Sequence, residues 1–230
     1  MNGEKNEKDV QRLVVKFGGS SLSDGAKISR AINSVIKKAK EGTQIVVVVS
    51  AMGKTTDFLI ETTMQACGEA SSGEMLDDIL AMGERTSARI FSAGLKSHGW
   101  KSVYLDPDDP NWPIITDDRF NDARPILNVC EENIRKVIEP MLEDGVIVVV
   151  PGFIGKTPDG RITTIGRGGS DITAFILAGA LRADQVILVT DVEGIMTADP
   201  KIIRSAQRLN EISMDTLVGL ADSGTKFIHK

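Results

Sequence analysis

The sequence predicts an α/β fold in which helices cover both faces of a mostly parallel sheet. Residues 45–49 and 146–150 are each runs of five β-branched residues, which is typical of strands that are buried on both faces. Segments with apolar residues at helical spacing lie between the apolar runs. A repeating order of strand, loop and helix favours a parallel sheet with helices on either side.

Each further element has its own local signal. Residues 13–17 form an apolar strand that contains Lys16, and residues 28–39 place apolar side chains on one helical face before Gly42 ends the helix. We expect strands also at 103–105 and 185–190, and helices at 58–67, 76–95, 126–142 and 172–181. Residues 106–119 are rich in proline and aspartate and are expected to run over the surface.

The composition excludes several classes of protein. The chain has 230 residues, of which 41% are hydrophobic and 26% charged, with a net charge of −5. This balance is that of a folded domain, and without a basic block no nucleic-acid partner is expected. No apolar run approaches the ~18 residues of a membrane span. Residues 1–11 are charged and polar, so we expect a flexible tail rather than a signal peptide, and a cytoplasmic location.

The cysteines and histidines are too few for a dedicated metal site. Cys67 and Cys130 are far apart in the sequence, and His98 and His229 are the only histidines. A disulfide framework or a zinc site needs more ligands at closer spacing. We therefore expect both cysteines to be small buried hydrophobic residues, and we predict no protein-bound metal.

Glycine-rich turns follow most of the predicted strands. Because parallel strands end at the same edge of a sheet, these turns are expected to meet where ligands bind in such folds. Glycine lets a polyphosphate approach the backbone, and a helix amino terminus offers free N–H groups. The sequence therefore predicts a nucleotide-phosphate site. The turns are Gly18-Gly19-Ser20, Ser50-Ala51-Met52-Gly53, Pro151-Gly152-Phe153 and Gly166-Arg167-Gly168-Gly169-Ser170-Asp171.

Two common nucleotide motifs are absent. Gly53-Lys54-Thr55 and Gly155-Lys156-Thr157 resemble the end of a Walker A loop, which requires a further glycine five residues before its last glycine. Those positions hold Val48 and Val150, inside predicted strands. No Gly-x-Gly-x-x-Gly follows the first strand either. A P-loop NTPase and a dinucleotide-dependent oxidoreductase are therefore disfavoured.

Four charged residues stand out at or near these turns. A lysine within an apolar strand needs an anion, and for Lys16 we favour a phosphate over a structural salt bridge. The forked donors of Arg167 suit a carboxylate or phosphate. Glu84 either binds a substrate ammonium or pairs with a neighbouring arginine, Arg85 or Arg89. Asp171 is either a helix-terminal acid favoured by the dipole or an active-site carboxylate.

Taken together, the motifs resemble those of the aspartokinases, within the amino acid kinase family. Order and approximate spacing match from about residue 13 to residue 229, and the string Arg167-Gly168-Gly169-Ser170-Asp171 separates aspartokinases from acetylglutamate, uridylate and carbamate kinases. The other matching strings are Lys16-Phe17-Gly18-Gly19-Ser20, Ser50-Ala51-Met52-Gly53, Gly83-Glu84, Gly152-Phe153 and Thr190-Asp191-Val192-Glu193-Gly194-Ile195.

The resemblance implies a three-layer α/β/α sandwich and a reaction. ATP and L-aspartate would give ADP and 4-phospho-L-aspartate, the first step towards lysine, threonine and methionine. Magnesium would arrive with ATP, and the protein would form a homodimer. Residues 12–230 would be the catalytic domain, which we expect to be truncated at its carboxyl end because family members usually continue, commonly into regulatory ACT domains.

The resemblance also implies roles for individual residues. Glu84 would hold the aspartate ammonium, Arg167 a carboxylate, and Asp171 would orient Lys16 or other groups at the reacting centre. Thr56 would join them in binding aspartate, with Ser50 and Ser170 assisting. The residues implied for phosphate and nucleotide are Lys16, Phe17, Gly18, Gly19, Thr190, Asp191, Met196, Lys201, Lys226 and Phe227. At 196 and 201 the family often has tyrosine and arginine instead.

Two alternatives remain open. One is another amino acid kinase, acting on N-acetylglutamate or an aminoadipate derivative, which would not need Glu84 for a free ammonium. The other is a sensor that binds nucleotide without turnover. That alternative requires the loss of a catalytic group, whereas Lys16 and Asp171 are both present.

Overall fold

The structure, a computed structural model, describes residues 10–68 and 73–190. The chain divides into two compact units, Met1–Val189 and Thr190–Lys230, and the helices and strands of the described residues all belong to the first. Most of the predicted tail at 1–11 and the predicted nucleotide residues Asp191, Met196, Lys201, Lys226 and Phe227 lie outside the described residues.

Seven strands and five α-helices make up the described part of the first unit, with one short 3₁₀ turn at Gly19–Leu22. The strands are β1 (Arg12–Phe17), β2 (Gln44–Val49), β3 (Ser102–Tyr104), β4 (Ile147–Pro151), β5 (Ile154–Lys156), β6 (Ile162–Thr164) and β7 (Gln185–Val189). The helices are α1 (Gly25–Ala39), α2 (Thr55–Cys67), α3 (Gly73–Ser97), α4 (Leu127–Glu143) and α5 (Gly169–Leu181).

The predicted strands and helices occur where the pattern places them, with ends that differ by a few residues. Helix α1 begins three residues before its first apolar position because the Asp24 side chain accepts a hydrogen bond from Lys27 N at 2.9 Å. Such a cap satisfies one of the free N–H groups of the first turn. At the other end the chain leaves the helix through Gly42, with φ +86°.

Five strands form one sheet in the order β3-β4-β2-β1-β7, and every pair in it is parallel. Successive side chains of a strand point to opposite faces, and the core divides accordingly. Val46, Val48 and Val148 pack on one face with α4 and α5, whereas Val47, Val49 and Val149 pack on the other with α1 and α3. The prediction of a three-layer α/β/α sandwich around a mostly parallel sheet is confirmed.

Strand β1 lies at the point where the order of the sheet reverses. It pairs with β2 on one side, reached through α1, and with β7 on the other, reached through α5. These two helices lie on opposite faces of the sheet. In open α/β sheets a crevice for ligands forms at the carboxyl end of such a switch point.

One hairpin was missed and two local predictions were wrong. The antiparallel hairpin of β5 and β6 was not predicted, because strands of three residues are too short to show a period. Residues 106–119 are not wholly on the surface, since Trp112, Ile114 and Thr116 are buried. Cys130 is buried as expected, but Cys67 is exposed because it lies in the last turn of α2.

Among the described residues, none of the helices combines the length and hydrophobicity needed to cross a membrane.

Candidate functional site at the carboxyl edge of the sheet

Lys16 and Asp171 form an ion pair at the end of β1. Lys16 Nζ lies 2.6 Å from Asp171 Oδ1, and the two side chains are only 13% and 14% exposed. A side-chain Cβ at Gly18 would lie 3.8 Å from the same Nζ, so the ammonium lies beside the glycine turn. Apart from this ion pair, Asp171 Oδ1 has no hydrogen-bond donor among the described residues. The carboxylate therefore holds the ammonium at the edge of the sheet.

The turns after β1 and β2 pack backbone against backbone. Gly53 N donates to Gly19 O at 3.0 Å, and Gly18 N donates to Val189 O at 3.1 Å. A Cβ at Gly19 would lie 2.8 Å from Ala51 O, closer than real Cβ atoms approach backbone oxygen, and 3.1 Å from Gly53 O. Position 19 therefore has no room for a side chain, and glycine lets the turns after β1 and β2 pack directly against each other.

Glu84 lies under the turn that follows β2. Its side chain is on α3, it is 4% exposed, and its Oε1 accepts a hydrogen bond from Ala51 N at 3.0 Å. Its Oε2 is buried and has no hydrogen-bond partner in the described part of the chain. A Cβ at Gly83 would lie 2.8 Å from Ala51 Cβ, so glycine at this position lets the helix come close enough for the contact.

Burial changes the acidity of Glu84. Removal of the carboxylate from water raises the pKa of Glu84 to about 7, against a partial opposing effect of the Ala51 N–H. An unpaired oxygen of a buried carboxylate is costly, and a cation placed against it would lower that cost. The two arginines proposed as neighbours do not supply it: Arg85 pairs with Asp106 and Asp108, and Arg89 pairs with Asp106.

The amino terminus of α5 is built around close contacts of glycine. A Cβ at Gly152 would lie 2.7 Å from Ser170 Cβ and 2.9 Å from Ser170 Cα. The Thr173 hydroxyl accepts a hydrogen bond from Phe153 N at 3.2 Å and donates to Gly169 O at 2.9 Å. The turn after β4 is thus fixed against the first turn of α5, which carries Asp171.

The remaining predicted site residues differ in how exposed they are. The side chain of Phe17 is buried against Phe91, with ring centroids 5.5 Å apart, and belongs to the core on that face of the sheet. Ser50 and Thr56 are half-buried, the latter in the first turn of α2, while Ser170 is buried. Arg167 and Thr190 are exposed.

The described residues contain no group of three or more His, Cys, Asp or Glu side chains that could hold a metal ion. A metal ion bound with a nucleotide takes most of its ligands from phosphate oxygens and water. The presence of Asp171 as a half-buried acid of the crevice is compatible with that arrangement.

The family model for the amino acid kinase family matches residues 11–230. The chain belongs to the amino acid kinase family. It is 41% identical over 219 residues to an aspartokinase of Geobacillus stearothermophilus and 41% identical over 219 residues to aspartokinase 2 of Bacillus subtilis, and in both cases the match covers 94% of this chain and 51% of the relative. The chain thus spans about half the length of the curated relatives it matches.

Solved structures of the family show the same fold. The chain matches E. coli aspartokinase III in complex with aspartate and ADP with a TM-score of 0.83 and 28% identity, over 95% of this chain and 58% of that chain. It matches aspartate kinase from Synechocystis with a TM-score of 0.74 and 33% identity, over 92% and 34% respectively. The predicted amino acid kinase fold is confirmed.

The fold alone does not select a substrate. Isopentenyl phosphate kinase matches with a TM-score of 0.61 at 20% identity, over 94% of this chain and 89% of that chain, which shows a shared fold and no more. The side chains at the carboxyl edge of the sheet, rather than the fold, therefore select the substrate.

Some residues of the site could not be identified from the motifs. The sequence does not indicate that Ala51 supplies the N–H that holds Glu84, or that Gly152 gives room to Ser170. Asp77, fully buried on α3, was also missed. One signal for it existed, because Asp77 occupies the apolar stripe of that helix together with Leu80, Ala81 and Glu84.

Proposed function

We propose that this chain contains the catalytic domain of an aspartate kinase, which transfers the γ-phosphoryl group of ATP to the β-carboxylate of L-aspartate and releases ADP and 4-phospho-L-aspartate. The observation that carries the proposal is Glu84: a buried carboxylate with one oxygen held by Ala51 N and the other without a partner among the described residues. A free α-ammonium is a fitting partner for that second oxygen.

The amino acid would be held by opposite charges at its two ends. Glu84 takes the ammonium, and the exposed guanidinium of Arg167 takes a carboxylate with its forked donors. Ser50, Thr56 and Ser170 supply hydroxyl groups around it. A relative named aspartokinase III binds aspartate and ADP, which supports the same substrate class for this chain.

The phosphoryl group would be held on the β1 side of the crevice. Lys16 provides positive charge and the Gly19 backbone an N–H group, while the Gly18 N–H is already bonded to Val189 O, and Asp171 keeps the ammonium of Lys16 in place. The acceptor carboxylate is already ionised at neutral pH, so alignment and neutralisation of charge on the phosphoryl oxygens account for the catalysis. Magnesium bound with ATP would supply additional neutralising charge.

A kinase for an N-acylated amino acid is the second candidate, and Glu84 argues against it. An acylated nitrogen carries no positive charge, so it could donate one N–H at most and would leave the buried carboxylate without a counter-charge. A homodimer and a cytoplasmic location are also proposed, on the resemblance to the family; light scattering would test the dimer.

The decisive experiment is ADP release measured with a panel of acceptors. We would compare L-aspartate, N-acetyl-L-aspartate, L-glutamate and N-acetyl-L-glutamate as acceptors for the full-length protein. We expect stimulation by L-aspartate and none by its N-acetyl derivative. Absence of stimulation by L-aspartate in the complete protein would refute the proposal, and stimulation by an N-acetyl compound would favour the second candidate.

A further inference from the structure

A second buried carboxylate lies on the same helix as Glu84. Asp77 is 0% exposed and accepts three hydrogen bonds: from Asn121 N at 2.9 Å, from Thr164 N at 2.9 Å and from the Thr164 hydroxyl at 2.6 Å. No Lys, Arg or His forms an ion pair with it in the described part of the chain. Its partners all belong to segments outside α3.

These hydrogen bonds fix the start of the Arg167 turn. Thr164 ends β6, three residues before Arg167, and its own carbonyl accepts a hydrogen bond from Ala123 N at 2.9 Å. Gly166, with φ +79°, lies so close to the neighbouring loop that a Cβ there would be 2.8 Å from Asp122 Oδ1. Asp77 holds both this loop, through Asn121, and the strand end, through Thr164.

Glu84 lies further along the same helix, α3, as Asp77. Positions 77 and 84 are seven residues apart, which is about two turns of a helix and therefore one face. Both side chains are buried. Helix α3 thus carries Glu84 directly and holds the base of the Arg167 turn through Asp77, so a single rigid element connects the two groups.

A hydrophobic side chain at position 77 would fill the core without the cost of removing a charge from water. What an apolar side chain could not do is accept hydrogen bonds from two separate segments at once. The role of the carboxylate is therefore to fix the segments of Asn121 and Thr164 in place rather than to add stability.

We propose that Asp77 is a positioning residue for the amino acid substrate: by fixing the Arg167 turn against α3, it sets the spacing between the groups that hold the substrate carboxylate and the substrate ammonium. The proposal rests on the proposed function for the roles of Arg167 and Glu84.

The test removes single contacts of Asp77 in the complete natural protein and measures kcat/KM for aspartate and KM for ATP. Thr164→Val deletes the hydroxyl that donates to Asp77, and Thr164→Ser retains it. Asp77→Asn replaces an acceptor by a donor and is expected to act in the same direction. Ser92→Ala is the matched control, because it removes a buried hydroxyl of α3 that contacts Ser102 on β3, away from the Arg167 turn.

We expect Thr164→Val to lower kcat/KM for aspartate about tenfold, the usual scale for one charge-assisted contact, with KM for ATP within about twofold of wild type. Thr164→Ser and Ser92→Ala should stay within about twofold for both substrates. In an Arg167→Ala background, Thr164→Val should change kcat/KM for aspartate less than about twofold, because the group it positions is gone.

Equal losses from Thr164→Val in the two backgrounds would overturn the proposal, since a merely structural contact acts independently of Arg167. A parallel rise in KM for ATP, an aspartate-selective loss in Ser92→Ala, or no loss at all would overturn it too. If wild type releases no ADP with aspartate, the proposed function fails. If wild type is active and the effects of Thr164→Val and Arg167→Ala are additive, only the positioning role of Asp77 fails. Should Asp77→Asn not fold, the pair of Thr164 variants decides the question.

Discussion

At the scale of single residues, burial makes Glu84 chemically different from the exposed acids of the chain. Its pKa is raised to about 7 because water cannot solvate the carboxylate, and only one of its oxygens has a hydrogen-bond partner in the described residues. Lys16, by contrast, has its counter-ion in Asp171. The site therefore contains one paired charge and one buried carboxylate oxygen that has no partner among the described residues.

Glu84→Gln should weaken the use of aspartate selectively. The amide keeps the shape and an acceptor for Ala51 N but loses the negative charge, so we expect KM for aspartate to rise about tenfold or more while KM for ATP changes less than about twofold. In wild type, KM for aspartate should fall as pH rises through about 7, when the carboxylate ionises. In the variant this dependence should disappear.

The measurement is steady-state ADP release between about pH 6 and about pH 8. Glu61→Gln, the same substitution at an exposed position of α2, serves as the control and should behave as wild type. Unchanged KM values for both substrates in Glu84→Gln would refute the assignment of Glu84 to the ammonium.

At the scale of elements, the amino terminus of α5 is held by the turn after β4. The contact depends on the absence of a side chain at Gly152, and the helix that it fixes carries Ser170 and Asp171 in its first turn. Since Asp171 in turn holds Lys16, a small displacement of α5 moves the charged pair. Geometry at this edge is thus a property of packed elements rather than of one side chain.

Gly152→Ala should therefore damage catalysis as well as stability. The added methyl group would lie 2.7 Å from Ser170 Cβ, so α5 or the turn must shift; we expect a loss of about 1–3 kcal/mol in the free energy of unfolding and a fall in kcat of about tenfold or more. Urea denaturation and ADP release measure the two effects.

Gly179→Ala on the same helix is the matched control. A Cβ at that position meets nothing within 4 Å, and alanine is the better helix former, so the variant should gain about 0.5–1 kcal/mol with kcat unchanged. A Gly152→Ala variant with wild-type kcat would show that α5 is not held by this contact.

At the scale of the whole molecule, the site is assembled at the switch point of a sheet by segments that are far apart in the chain. β1, β2 and β4 contribute their carboxyl ends, α3 contributes Glu84, and α5 contributes Asp171. The buried carboxylates on α3 also link the site to global stability, because they exchange protons with solvent on unfolding.

The stability of the protein should fall as pH rises from about 4.5 to about 7 on account of Glu84. In this range the unfolded state, with the ordinary pKa of 4.5, releases its proton while the folded state, with a pKa of about 7, retains it. The difference is on the order of 3 kcal/mol between the ends of the range. Burial raises the pKa of Asp77 as well, which acts in the same direction.

Urea denaturation of wild type and Glu84→Gln across this range measures the effect. The free energy of unfolding of the variant should rise relative to that of wild type as pH increases. Between about pH 4 and about pH 8 this difference should change by on the order of 3 kcal/mol. Glu61→Gln, at an exposed site, should follow the wild-type curve. Parallel curves for wild type and Glu84→Gln would contradict the raised pKa of Glu84.

The sequence by itself determined the strands, the helices and the edge of the sheet that holds the site. These features depend on local composition: β-branched runs such as residues 45–49, helical stripes such as residues 28–39, and glycine after a strand, as at Gly18. Their signals occupy neighbouring positions in the chain and could be recognised without knowing the packing. The hairpin of β5 and β6 was not predicted because its strands, of three residues each, are too short to show an alternating pattern.

The tertiary structure decided which charges meet. From the sequence, the partner of Glu84 could be either a substrate ammonium or a neighbouring arginine. In the folded protein Arg85 and Arg89 pair with Asp106. One oxygen of Glu84 has no partner in the described part of the chain. The pairing of Asp77 with Thr164 follows from the same cause, whereas the family resemblance already implied that Asp171 could orient Lys16. Such contacts join residues that are distant in sequence, and only the register and packing of whole elements set them.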